Sequence, residues 1–331
     1  ANVVQPGRRN RAGGGGGTKR LEGVDHGVSP MDGPSLLEPG TRIQSEIAID
    51  DSGHSQSVER LGGCDTLCVS EYITSQGRNM PPLIIAAAQS SSIAGDLAGN
   101  IARHQRFMRV AAEHGVQLLV FPELSLTGYE RGLAAQLALA PEAAVLQPLR
   151  DFAQEVGVTT VVGMPIRLSD AAPVLIGALV LGADGSLGVY SKQHLHPGEE
   201  VAFAPGYGGK TLLVGADTVA LAVCADFTHA SHAAAAAQQG ADVYAAGVLI
   251  TEKGYGPDTA LLKGYAQTHS MVVLMANHGG ATGGWESAGR SAIWSAGGAL
   301  IAAAPGAGDL MVVARRDTDG WNGQIVPVRE V

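Results

Sequence analysis

The feature that most constrains this 331-residue chain is a change of pattern at Met80. Beyond it, short apolar runs of strand length alternate with stretches of helical period, the signature of α/β layers in which helices cover a sheet. Strands are predicted at Leu83–Ala88, Leu118–Phe121, Val158–Val162, Ile176–Leu181, Leu212–Val214 and Val219–Val223. Five more are predicted at Val243–Ile250, Val272–Ala276, Ser291–Trp294, Ala299–Ala303 and Leu310–Ala314. Helices are predicted over Leu97–His114, Pro141–Gly157, Ala230–Gln239 and Asp258–His269. Proline is tolerated in a first helical turn and glycine closes helices, which puts Pro141 at a start and Gly115, Gly157 and Gly240 at ends. One layered α/β domain is expected over residues 80–331.

Residues 1–79 read differently. A run of five glycines (Gly13 to Gly17) among scattered Ser, Asp and Arg carries no sustained period, so the segment buries too little apolar area to offset its ordering entropy. It is expected to be a disordered or non-native leader, with Met80 as the natural start. Cys64 and Cys68 lie within it; with only His54 nearby a metal would lack ligands, and both read as exposed thiols. Together with Cys224 they make three cysteines, which cannot form an even disulfide framework and point to a reducing compartment.

Composition narrows the function classes. Hydrophobic residues make up 45% of the chain, enough for a sizeable core, and charged residues 16%. The 31 Asp and Glu outnumber the 22 Lys and Arg, for a formal charge of −9, so phosphate backbones and anionic lipid are repelled and neither nucleic acid nor membrane is an expected partner. The longest apolar segment, Ala171 to Ala183, is interrupted by Pro173, Gly177 and Gly182 and falls short of the ~18 residues a membrane span needs. With no signal-peptide pattern either, a cytoplasmic location is the default expectation.

Three passages place a reactive group at a strand or loop end. Phe121-Pro122-Glu123-Leu124 follows a predicted strand, where open α/β sheets hold their ligands, although glutamate after proline is also a common loop residue. Tyr190-Ser191-Lys192-Gln193-His194-Leu195-His196-Pro197-Gly198-Glu199-Glu200 is dense in ionisable groups and leads to Phe203-Ala204-Pro205-Gly206; a lysine there is commonly solvated, but such a loop can turn Lys192 and one carboxylate inward together. Leu221-Ala222-Val223-Cys224-Ala225-Asp226 runs from a strand into a helix. A buried cysteine is most often inert. Here the strand–turn–helix geometry aims the sulfur at the end of the sheet, where backbone N–H groups and the helix dipole are expected to favour a thiolate. A carboxylate whose pKa is raised in a dry pocket can accept the thiol proton, and an ammonium can stabilise the oxyanion formed by attack on a carbonyl.

In this order, Glu then Lys then Cys, the passages resemble the nitrilase superfamily of carbon–nitrogen hydrolases from about Leu83 to Ala314. Phe-Pro-Glu-Leu with Thr127-Gly128-Tyr129 carries over to Glu123, Tyr-Ser-Lys-Gln-His-Leu to Lys192, and the nucleophile with an acid two residues later to Cys224 and Asp226. A second family glutamate fits Glu199 better than Glu200, and Ala276-Asn277 and Gly289-Arg290-Ser291 match further family positions. The resemblance implies a four-layer αββα sandwich, pairing of protomers into a dimer or larger homo-oligomer, a small-molecule substrate and no cofactor or metal. Under it Glu123 takes the Cys224 proton, Lys192 and the Ala225 N–H hold the oxyanion, and Glu199 orients Lys192 or water. Tyr129, Val248, Leu249 and Ile250 are expected to line the substrate pocket, with Tyr255 and Trp285 contributing from loops.

Departures from the pattern bear on the substrate. Ala225 stands where the family often has an aromatic residue, Asp226 where true nitrilases resemble Cys-Trp-Glu, and Thr228-His229-Ala230-Ser231-His232 where a Pro-Glu pair often follows. These tilt the expectation toward amides or carbamoyl compounds, with nitrile hydrolysis as the alternative. Two rival classes are a metal-dependent hydrolase built from His194, His196, His229 and His232, and a catalytically silent binding subunit of the same fold.

Overall fold

The computed structural model describes residues 82–329 and, in the first of two units (Ala1–Gln76 and Gly77–Val331), the strands β1 (Ser45–Ile49) and β2 (Ser55–Glu59). β1 and β2 pair antiparallel, so a strand pair stands in a stretch where no period was expected. Cys64, Cys68 and His54 lie outside the described residues.

The second unit opens with β3 (Leu83–Gln89), α1 (Leu97–Glu113), β4 (Leu118–Val120), α2 (Ala134–Leu137), α3 (Gln147–Val156) and β5 (Thr159–Ile166). It continues through β6 (Leu175–Leu181), β7 (Leu187–Ser191), β8 (Leu212–Val214), β9 (Asp217–Val223), α4 (Ala230–Gln238) and β10 (Val243–Val248). It ends with α5 (Glu252–His269), β11 (Val272–Asn277), β12 (Ala292–Trp294), β13 (Leu300–Ala303), β14 (Leu310–Asp317) and β15 (Gly320–Pro327). Two mixed sheets result, ordered β15-β14-β3-β4-β5-β6-β7 and β13-β12-β11-β10-β9-β8. Parallel pairing is confined to β3-β4-β5 in one and β9-β10-β11 in the other.

Strand alternation builds three apolar layers from these two sheets. Leu83, Ile85 and Ala87 of β3, Val219, Leu221 and Val223 of β9, and Val272, Leu274 and Ala276 of β11 meet in a core between the sheets. The intervening Ile84, Ala86 and Ala88 turn outward onto Ile101, Phe107, Met108 and Ala111 of α1 and Leu149 and Ala153 of α3. On the opposite side Ala220, Ala222, Tyr244, Ala246, Val273 and Met275 meet Ala233 and Ala236 of α4 and Leu262, Tyr265 and Ala266 of α5. The architecture is therefore a four-layer αββα sandwich, and burial on both faces explains why the central strands are continuous apolar runs. One charged link crosses the inner core: Arg316 of β14 donates two bonds to Asp217 of β9, both 2.6 Å and both buried.

Several boundaries differ from expectation for identifiable reasons. The Pro141 rule applies to another proline: Ala144–Leu146 is a 3-10 turn, and α3 starts at Gln147 with Pro148 in its first turn. α5 begins six residues before Asp258 despite Gly254, Gly256 and Pro257, because packing against the sheet overrides weak local propensity. β15, an edge strand that alternates poorly, pairs along the whole of β14 and had no sequence signal. Because Arg316 and Asp217 desolvate each other, removing the Asp217 charge weakens a buried ion pair, and urea unfolding of Asp217→Asn should show a loss of up to about 3–5 kcal/mol.

Candidate active site

The carboxyl ends of β4, β9, β10 and β11 meet at one end of the sandwich, and each leads directly into a polar side chain or a cavity wall. After β4, the segment Phe121 to Thr127 passes between the sheets. It fits because two strand residues there lack side chains: a Cβ on Gly163 of β5 would lie 2.4 Å from the Leu124 nitrogen, and one on Gly247 of β10 would lie 2.6 Å from the Phe121 carbonyl oxygen. Leu124 is forced into the left-handed region (φ 53°). Buried His104 secures the segment from the α1 side, donating from Nδ1 to the Asn100 carbonyl (2.7 Å) and contacting Ser125 Oγ through Nε2 (2.9 Å). From β11, His278 Nε2 donates to the Glu123 carbonyl (2.7 Å). Burial lowers the pKa of both rings, to about 3 and about 4, which keeps them neutral.

Lys192 follows β7 and is completely buried. Its Nζ donates to Glu123 Oε1 at 2.7 Å and Glu199 Oε1 at 2.8 Å. Glu199 also accepts from the Tyr129 hydroxyl (2.5 Å) and the His196 N–H (2.7 Å). Glu123 Oε2, by contrast, is buried and makes no hydrogen bond.

Cys224 begins the 3-10 turn Cys224–Thr228 at the end of β9, again in the left-handed region (φ 42°), with its sulfur 3.8 Å from the Leu249 carbonyl oxygen. Two residues on, Asp226 points back into the protein. Its carboxylate accepts from the N–H groups of Gln193 (3.0 Å), His194 (2.9 Å) and Val223 (3.1 Å) and from the Tyr190 hydroxyl (2.7 Å). One side chain thus joins the cysteine turn to the lysine loop. With its proton committed to Asp226, Tyr190 accepts from His232 Nε2 (2.8 Å), and the other ring nitrogen of His232 accepts from Tyr244 (2.8 Å).

Burial is the largest influence on all three central groups. It pushes the Glu123 carboxyl up to about 7, with Lys192 opposing and Glu199 reinforcing the rise. Burial alone would lower Lys192, but the charges of Glu123, Cys224 and Glu199 outweigh it and hold its pKa above the ordinary value. Burial and then the Glu123 carboxylate push the Cys224 thiol well above its usual range. The thiolate expected from a helix N-terminus is therefore not the resting form: desolvation beside a carboxylate outweighs the turn's dipole.

A cavity of about 270 Å³ opens on these groups, lined by Glu123, Cys224, Ala225, Tyr129, Leu249 and Ile250 among others. Val248, expected to join them, does not: strand alternation turns it into the outer core beneath α4 and α5. Trp285 lines the cavity, whereas Tyr255 sits within α5 and donates its hydroxyl to the Arg290 carbonyl. Of the four histidines weighed as metal ligands only His196 reaches the cavity; His194 stacks on His229 at 3.9 Å, and His232 is held by the two tyrosines. Among the described residues no three His, Cys, Asp or Glu side chains come together as a metal site requires. His278 and Asp258 were not foreseen from sequence: the first is an unremarked histidine after a strand, the second one of many helical acids. Asn277, noted only as a family position, bonds Ile250 and Gly289 and so fixes the cavity wall.

Comparison with known proteins gives a consistent result. The family model for carbon-nitrogen hydrolases matches residues 84–322. A nitrilase of Pyrococcus abyssi is 32% identical over 151 residues, 44% of this chain and 57% of that protein. A glutamine-dependent NAD(+) synthetase of Thermotoga maritima is 32% identical over 154 residues, 44% of this chain but 26% of that protein. The matches thus span little more than half, or about a quarter, of these relatives. The amidase of Nesterenkonia sp. AN1 superposes with a TM-score of 0.63 at 25% identity, covering 70% of this chain and 89% of that one, in a form carrying an acetamide moiety on its active-site cysteine. A cysteine-to-alanine form of that amidase holding butyramide gives a TM-score of 0.65 at 26% identity, covering 72% and 92% of the two chains.

The electrostatics predict the behaviour of the sulfur. Replacing the Glu123 carboxylate in Glu123→Gln removes a negative charge that holds the thiol proton while Lys192 stays, so Cys224 should ionise at lower pH. Iodoacetamide labelling of the Cys224 peptide, followed by mass spectrometry across pH 6–10, should show its rate profile shifted to lower pH in the variant.

Proposed function

The chain belongs to the carbon–nitrogen hydrolase family, and from that premise we propose that it hydrolyses a C–N bond other than a peptide bond in a small amide or carbamoyl compound through an acyl-enzyme on Cys224. What supports this reading above all is the open Glu123 Oε2 in the cavity that also holds the thiol, with Oε1 clamped by Lys192. A carboxylate so held has one oxygen fixed and one free to receive a proton. With its pKa near 7 it takes a proton at neutral pH and gives it up again, as general acid–base catalysis requires.

In the first half-reaction Glu123 accepts the thiol proton as Cys224 sulfur bonds to the carbonyl carbon. Negative charge moves to the carbonyl oxygen, where the Lys192 ammonium and the N–H of Ala225, in the first turn of the 3-10 helix and without an intrahelical acceptor, oppose it. Each such donor contributes on the order of 3 kcal/mol to the transition state. Glu123 then delivers its proton to the leaving nitrogen, the C–N bond breaks, and a thioester remains. Water, deprotonated by Glu123, attacks the thioester, and the thiol leaves with the proton returned. Glu199, held by Tyr129 and the His196 N–H, keeps Lys192 in place. Asp226 acts through the lysine loop and is a positioning residue.

Nitrile hydrolysis is the second reading, favoured by the resemblance to the Pyrococcus protein. Ammonia release from a panel of aliphatic amides, ureido compounds and nitriles separates the two. Cys224→Ala should bring turnover to background with an unchanged thermal melt; retained activity in that variant ends the proposal. Glu123 must be ionised to take the thiol proton, so kcat/KM should fall about tenfold per pH unit on the acid side of an apparent pKa near 7. That value belongs to the Glu123–Lys192–Glu199 cluster as a whole.

A further inference from the structure

Beyond the reacting groups, several polar side chains of the cavity wall are already engaged. The Tyr129 O–H is spent on Glu199 and the Thr228 O–H on the Ala225 carbonyl (2.8 Å). His196 contacts the Pro197 carbonyl through Nδ1 (3.0 Å), which places the proton there and leaves Nε2 as an acceptor. Lys192 directs its ammonium at two carboxylates, and among the described residues no lysine or arginine lines the cavity. Thr251 and Trp285 add a hydroxyl and an indole N–H, and the remaining charged group is Asp258, on α5.

Asp258 is half-buried, and no hydrogen bond or ion pair holds it among the described residues. Its exposure to the cavity depends on Gly254, one turn earlier, where a Cβ would come within 2.9 Å of the carboxylate. Burial raises its pKa, and His196 opposes the rise only when its ring is protonated. A half-buried carboxylate without a partner is costly to keep unless something positive visits it. Trp285 stands at the rim, 40% exposed, and an aromatic ring of this kind attracts cations. The chain's net charge of −9 draws cations toward the site and repels anions.

We propose that the substrate carries a cationic group, such as a primary ammonium, which Asp258 receives while the scissile amide or carbamoyl group lies against Cys224. This rests on the hydrolytic reading above and narrows it. Leu249 borders the sulfur and Thr251 precedes α5, while the Asp258 carboxylate reaches back to Gly254, three residues beyond Thr251 and a rise of roughly 5 Å. The two ends of the substrate are therefore joined by a short carbon spacer. A substrate with a carboxylate at that end, as in a ureido acid, meets Asp258 instead of an arginine.

The test compares ammonia release from 5-aminopentanamide, neutral pentanamide and 5-amino-5-oxopentanoate, which differ only at the far end. The wild-type protein should favour the cationic amide over pentanamide by at least tenfold in kcat/KM, mostly through KM, and should disfavour the carboxylate. Asp258→Asn should bring the cationic-to-neutral ratio close to one, and Asp258→Lys should invert the preference toward the carboxylate. Turnover of pentanamide at least as fast as of the cationic amide overturns this inference and leaves the amidase reading standing. A cationic preference that survives both substitutions overturns the assignment to Asp258. Turnover of none of the three overturns this inference, and failure of the ureido compounds and nitriles as well overturns the hydrolytic reading.

Discussion

A single ammonium, that of Lys192, lies out of reach of solvent between two carboxylates, and much of the site is arranged to make that possible. Burying an ion costs several kcal/mol even after relaxation, so each partner must be held in place and its remaining hydrogen-bonding capacity met. Glu199 meets this condition through Tyr129 and the His196 main chain. Glu123 meets it on one oxygen only. The asymmetry separates a carboxylate that anchors from one able to exchange a proton, and it raises the pKa of the second toward neutrality.

The positions of these groups follow from backbone packing. The two sheets come close enough at their strand ends for the Glu123 segment to be held between Gly163 and Gly247, where side chains would collide with its peptide groups. Behind it, His104 and His278, both neutral, bond to the main chain and to Ser125 and leave the Glu123 side chain free. Asp226 serves the opposite wall, with four main-chain and hydroxyl donors gathered on one carboxylate. The acid two residues after the cysteine therefore stabilises the turn and the lysine loop together, away from the reacting carbon.

Much of this was legible in the sequence. Strands buried on both faces are continuous apolar runs, and Glu123 and Cys224 stand out by following two of them, whereas Lys192 follows the partly exposed β7 and stands out by the ionisable residues around it. Val248 was misassigned because a continuous run conceals which residues face which layer, and alternation is visible only once the neighbours are known. The start of α5 was hidden by Gly254, Gly256 and Pro257, where local signals oppose the packing. The ionisation of Cys224 was misread because a helix start favours a thiolate, and the competing desolvation depends on residues distant in the chain. Asp258 illustrates the same limit: an acid in a helix is ordinary until the cavity it faces is found to be lined by no lysine or arginine among the described residues.

Leu124 and Cys224 share a backbone conformation that L-residues with side chains rarely adopt, at a penalty of roughly 1–2 kcal/mol each. Both stand directly beside the atoms that would react. A glycine at either position would relax the chain, but it would also loosen the aim of the carboxylate or abolish the sulfur. Robustness and turnover are thus opposed at these two points of the chain, and a gain in heat tolerance must be sought elsewhere, in the helices and outer strands.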